Sequence, residues 1–103
     1  MFSQRTRNEM SEQPKMKVYP DGTKAWRLRS KLHRIDGPAV EHADGSKKWC
    51  LNGAVHRTDG PAWEGADGSK MWFLDGKQVS WRDVYRQAND PEIELKILSA
   101  VLS

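Results

Sequence analysis

A single cysteine, Cys50, in a chain of 103 residues excludes an internal disulfide framework and any paired-cysteine zinc site. No apolar run is long enough to span a bilayer, and residues 1–15 lack the apolar stretch of a secretory signal, so neither a membrane association nor export is expected. Missing too are a P-loop, a dinucleotide fingerprint and a nucleophile elbow, which argues for a protein that is not an enzyme and uses no cofactor. Neither sign of charge dominates: 17 basic residues face 14 acidic ones, a net charge of +3, which is mildly basic. Apolar residues make up only 37% of the chain, so one small core is the most that it can bury. Phenylalanine and tyrosine number two each, which leaves five tryptophans to supply most of the large aromatic surface. Cys50, between Trp49 and Leu51, reads as a small buried strand residue rather than a reactive thiol, in keeping with a reducing cytoplasm.

What the chain does contain is a 23-residue period. Asp21-Gly22-Thr23-Lys24-Ala25-Trp26-Arg27-Leu28 returns as Asp44-Gly45-Ser46-Lys47-Lys48-Trp49-Cys50-Leu51 and as Asp67-Gly68-Ser69-Lys70-Met71-Trp72-Phe73-Leu74. Between these copies, His33-Arg34-Ile35-Asp36-Gly37-Pro38-Ala39 returns as His56-Arg57-Thr58-Asp59-Gly60-Pro61-Ala62. A unit of this length is one supersecondary element, and neighbouring copies must stack to bury a core. Partial copies at either end place a β-repeat array over residues 16–80, after a polar and flexible arm at 1–15.

Asp-Gly and Asn-Gly pairs punctuate each unit and supply the positive φ angles of tight hairpin turns. The runs between them hold only a few residues, which predicts short antiparallel strands. Arg29-Ser30 stands where later copies have Asn52-Gly53 and Asp75-Gly76, so the first turn is expected to be looser or differently shaped. Strand alternation places Trp26, Trp49 and Trp72 with Leu28, Leu51 and Leu74 on one face as stacked core rungs, with lysine stems lying along the rings. The other face turns apolar at Met71 and Phe73, so a cover is expected there.

That cover is predicted from residues 81–103. Ser80-Trp81-Arg82-Asp83 reads as a capping box opening a short helix, and Asp90-Pro91 as the start of a second. Ile93, Leu95, Ile97, Leu98, Val101 and Leu102 make the second helix apolar over more than half its girth. Part of it is therefore expected to meet Met71 and Phe73, and part, at Leu102, to serve a partner or a homo-oligomer. The fold class is mainly β within α+β: a meander of antiparallel β-hairpin repeats capped by two C-terminal helices.

The string from Asp44 to Glu64, DGSKxWxLNGxxHRxDGPAxE in outline, resembles a family of small tailed-bacteriophage and prophage proteins built from such repeats. The likeness covers residues 17–80, and the ending from Val79 to Glu92 is similar to the tail of some members. More distantly the unit resembles a variant of the MORN repeat, which folds as β-hairpins. The MORN tyrosine and glycine spacing is not kept, so lipid binding is not implied. The resemblance implies a fold and a phage or prophage source acting in a host bacterial cytoplasm; it assigns no activity.

His33 with Asp36, and His56 with Asp59, form a His-x-x-Asp pair in each unit, followed by Glu41 or Glu64. Such groups can ligate a divalent metal or act as acid and base. Recurrence in every unit favours a structural role instead, as does Val79 in place of a third histidine. The evenly spaced Lys24, Lys47 and Lys70, beside tryptophans, suit a surface that tracks phosphates and stacks bases. Against this, acids recur at the same period, and Arg34 with Glu41 or Arg57 with Glu64 can pair across strands. His42 and Trp63 fall at positions that vary between copies, and with Arg34, Arg57 and Leu102 are the candidate partner-binding residues. The sequence thus favours a non-enzymatic accessory protein that binds a host macromolecule, first a host protein. The alternatives are a nucleic-acid-binding module and a structural or self-assembling phage component.

Overall fold

The computed structural model describes residues 12–103, and among them it holds ten strands and two helices. The strands are β1 Lys15–Val18, β2 Lys24–Leu28, β3 Lys31–Leu32, β4 Val40–Glu41, β5 Lys47–Lys48, β6 Cys50–Leu51, β7 Ala54–Val55, β8 Trp63–Glu64, β9 Lys70–Leu74 and β10 Lys77–Val79. The helices are α1 Trp81–Gln87 and α2 Pro91–Leu102. Most of the arm expected at residues 1–15 lies outside the described residues. Of its described part, Glu12 pairs with Arg29 at 2.6 Å and Lys15 already begins β1.

All pairings are antiparallel. One open sheet runs β1-β2-β4-β5-β8-β9-β10, with β3 also on β2, while β6 and β7 form a separate hairpin. The chain is therefore mainly β with two C-terminal helices, as the strand and turn signals predict.

Two kinds of turn produce this order. At Asp44-Gly45 the N–H of Gly45 donates to the His42 carbonyl at 3.0 Å, and Gly45 takes φ +97°. Asp44 Oδ1 accepts the Ser46 N–H at 2.9 Å, closing the loop locally. The same bonds recur at Asp21-Gly22 and Asp67-Gly68. In these turns only the glycine is left-handed, the geometry of a three-residue loop ending in a bulge.

At Asn52-Gly53 and Asp75-Gly76 both central residues have positive φ, the two-residue turn whose twist matches the strands. Arg29-Ser30 adopts the same conformation, at φ 52° and 70°. The first turn is thus neither looser nor different, because its pairing of Arg27 with Leu32 and Leu28 with Lys31 imposes the shape on residues that carry a Cβ.

The core is split. Small residues, Ala25, Ala39, Val40, Cys50 and Ala62, are buried along the sheet. A second cluster joins Trp72, Val84 and Ile97, with Leu74, Val79, Trp81, Tyr85, Ile93 and Val101 packed around it. The helices accordingly cover the Trp72 and Leu74 face. The expectation that they cover Met71 and Phe73 is corrected: alternation along β9 puts those two on the face opposite Trp72 and Leu74, and Trp72 and Leu74 are the ones that pack with the helical residues. Asp90 caps α2 by accepting the Glu92 N–H at 2.9 Å, and Pro91 takes its first turn, so the chain reverses sharply after α1 and lays α2 over Trp72.

Candidate interaction surface

The tryptophans differ in their covers. The Arg34 guanidinium lies 3.9 Å from the ring centre of Trp26, and that of Arg57 lies 4.0 Å from Trp49. Each guanidinium is then held by three acceptors. Arg57 Nε donates to Asp59 Oδ1 at 2.8 Å, and Nη1 donates to the Pro61 carbonyl at 2.9 Å and to Glu64 Oε2 at 3.4 Å. Arg34 repeats this with Asp36 at 3.0 Å, Pro38 at 3.1 Å and Glu41 at 3.3 Å. A β-carbon on Gly60 would lie 2.7 Å from Arg57 Cζ, so glycine there lets the backbone close over the guanidinium. These contacts account for the recurring His-Arg-x-Asp-Gly-Pro string: the arginine is a plate between a tryptophan and a glycine. The ring-covering cations are these arginines rather than the lysines of the same unit.

Trp72 has no such plate, since Ser80 stands 23 positions after Arg57. Its cover is Val84 and Ile97.

The histidines do something else. His33 Nδ1 accepts the Asn52 N–H at 2.9 Å and His56 Nδ1 accepts the Asp75 N–H at 2.9 Å, each bond joining one hairpin to the turn of the next. The turns are further held by Gly53 N–H to the Leu32 carbonyl and Gly76 N–H to the Val55 carbonyl, both at 2.8 Å. β10 has no following turn to receive, and Val79 there packs into the helical core. Within each His-x-x-Asp string the aspartate goes to arginine and the histidine to the next turn. Among the described residues no group of three or more His, Cys, Asp or Glu is arranged to hold a metal ion.

Lys24, Lys47 and Lys70 stand in a cross-strand file with Glu41 and Glu64: Lys24 faces Glu41, which faces Lys47, which faces Glu64, which faces Lys70. Charges of alternating sign in one row support the sheet and cancel at a distance. Cations also gather on the first hairpin. Lys15 faces Arg27 across β1 and β2, Arg27 Nη1 donates to the Tyr19 hydroxyl at 2.7 Å, and Lys17 Nζ lies 4.9 Å from the Tyr19 ring.

Of the other candidates, His42 and Trp63 are half-buried with ring centres 5.7 Å apart, and His42 Nε2 is buried without a partner. Cys50 is buried, and burial pushes its thiol pKa up, which keeps it protonated. Leu102 is 84% exposed, and with it Ile35 at 83% and Leu95 at 66%. Sequence reasoning missed Ile35; the available signal was its apolar character where the next copy has Thr58.

Ile35 rims a groove of about 630 Å³ with Asp36, Trp49, Leu51, His56 and Arg57. A second groove, of about 470 Å³, runs between the 57–64 segment and Leu95 and Lys96 of α2. The two share Arg57 and Asp59 and so adjoin along one side of the molecule. Comparison with protein-family models, curated proteins and solved structures finds no match to this chain. No helix among the described residues is long and apolar enough to cross a membrane.

Proposed function

We propose that this chain is a phage- or prophage-encoded, non-enzymatic accessory protein that acts in a host bacterial cytoplasm by binding a host protein. Its 23-residue units are read as a stacked β-repeat array, and the two helices as its C-terminal cap. The observation that carries the binding reading is the fate of the recurring cations. Arg34 and Arg57 are engaged inside the fold, and Lys24, Lys47 and Lys70 alternate with glutamates. The side with the adjoining grooves instead exposes Ile35 and Leu95, large apolar residues that a protein partner would cover.

A nucleic-acid reading has one observation in its favour, the cluster of Lys15, Lys17 and Arg27 around Tyr19. Affinity capture from host lysate, with and without nuclease, separates the two. Our reading expects a protein that survives nuclease treatment and is lost from Leu95→Glu or Ile35→Asp. Capture that nuclease abolishes, or that a Lys15/Lys17/Arg27 triple alanine variant loses while Ile35→Asp keeps it, would reverse the ranking.

A further inference from the structure

We propose that the groove between residues 35–37 and Trp49 receives an amphipathic α-helix from a partner protein, seated as α2 is seated one unit further along the chain. This deepens the protein-binding reading above and rests on it. Adding 23 to Ile35, Asp36, Gly37, Trp49 and Leu51 gives Thr58, Asp59, Gly60, Trp72 and Leu74. The second set already holds a helix. Ile97 of α2 clusters with Trp72 and with Val84 of the adjoining α1, Leu74 and Ile93 lie beside them, and Thr58 lines a hollow with Val84 and Ala88 at α1 and Ile93 of α2. Lys96 Nζ approaches Asp59 Oδ2 to 3.9 Å. The chain thus displays what such a seat accepts: an apolar face built at helical spacing and a cation beside it that meets the aspartate.

The first set lines an open groove of about 630 Å³. Its rim is more apolar, with Ile35 83% exposed where Thr58 stands in the next copy. Asp36 pairs with Arg34 through Oδ1, its side chain is 85% exposed, and among the described residues no lysine stands at it as Lys96 does at Asp59. One difference sets the depth. Arg57 lies over Trp49, whereas Ser80 leaves Trp72 bare, so the incoming helix rests on Ile35, Leu51 and the guanidinium edge rather than on the indole face. A second copy of this chain would have to release α2 from its own seat, where Ile97 is fully buried.

The test uses the full chain with a labelled synthetic peptide of the α2 sequence, residues 90–103, as probe. We expect saturable binding, with amide shifts in the protein spectrum at residues 35–37, 49–51 and 56–58. Ile35→Asp, at an exposed position, should weaken it about tenfold or more while the unfolding midpoint holds. Asp36→Lys should weaken it as well, and a peptide with Lys96→Glu should recover part of the loss on that variant, as a direct charge contact requires. No saturation up to about 1 mM peptide overturns the proposal, since even weak docking registers there. Shifts confined to Trp72, Val84 and Ile97 overturn it as well, since they mean exchange with the chain's own cap. So does a concentration-dependent dimer of the chain alone that Ile35→Asp abolishes. Should Ile35→Asp release a nuclease-resistant host protein while the peptide fails to saturate, the helical occupant is wrong and the protein-binding reading stands. Nuclease-sensitive capture sinks that reading whatever the peptide does.

Discussion

His33 Nδ1 accepts the backbone N–H of Asn52 at 2.9 Å, and His56 makes the same bond to Asp75. A nitrogen that accepts carries no hydrogen, so each of these bonds calls for the ring hydrogen to sit on Nε2. We expect long-range ¹⁵N spectra at neutral pH to report the Nε2–H tautomer for both. His33→Ala should cost about 0.5–1.5 kcal/mol, the net worth of one such bond. A proton found on Nδ1 of either ring would remove the basis for this joint between hairpins.

The Arg57 plate predicts a coupling. Arg57→Lys keeps the charge but loses the planar fork and the stacking, and we expect a loss of about 1.5–3 kcal/mol because the side chain is only 21% exposed. In a double-mutant cycle, Arg57→Ala and Trp49→Ala should couple by about 0.5–2 kcal/mol. Additivity within error would mean that the guanidinium is merely near the ring.

Much of this was legible in the sequence. Glycine after aspartate or asparagine marks left-handed backbone at Gly22, Gly45, Gly53, Gly68 and Gly76, whereas Gly37 and Gly60, which also follow aspartate but precede proline, do not take positive φ. The capping residues Ser80 and Asp90 fixed both helix starts. The cover of the third unit was misplaced for a physical reason. Alternation assigns one face to the core, but in β2 Ala25 is buried and its neighbour Trp26 half-buried, so both faces are covered. Which face takes the helices depends on where a guanidinium is missing, at Ser80, and that requires knowing what Arg34 and Arg57 do. Arg29-Ser30 was illegible because nothing local marks its turn; the pairing of β2 with β3 imposes it.

That imposed turn should yield stability when relieved. Ser30 holds φ 70° with a Cβ, whereas Gly53 and Gly76 hold the equivalent place without one. Ser30→Gly is expected to stabilise by up to about 1 kcal/mol, the left-handed penalty removed less the added freedom of the unfolded chain. Gly53→Ala should destabilise by a similar amount. Chemical denaturation of the pair checks both signs, and a stabilising Gly53→Ala would refute the conformational account.

The loop aspartates give the pH dependence its direction. The Ser46 hydroxyl and then its N–H hold the Asp44 carboxyl below its ordinary 3.8, and the N–H and then hydroxyl of Thr23 and Ser69 do the same for Asp21 and Asp67. A lowered folded-state value means a contribution present above 3.8 and lost as the pH falls through the folded value. Denaturation midpoints should therefore fall on acidification below about pH 4, and fall less in an Asp21/Asp44/Asp67 triple asparagine variant. Equal acid slopes in the two proteins would place the acid sensitivity elsewhere.

The helical cap carries the sharpest energetic claim, because Ile97 and Val84 replace an arginine plate over Trp72. Ile97 is fully buried, so Ile97→Ala should cost about 2–5 kcal/mol, a large share of what a domain of this size holds. Phe73 lies on the other side of β9 from Trp72, so Phe73→Leu should leave the helices in place, whereas Ile97→Asp should release them and expose the indole. Tryptophan emission read along the unfolding curve distinguishes the cases: a red shift at low denaturant for Ile97→Asp, absent for Phe73→Leu, is the expected result. Should Phe73→Leu release the cap while Ile97→Asp leaves the emission unchanged, the seat of α2 would have to move to the opposite face, and the docking groove inferred from it would lose its template.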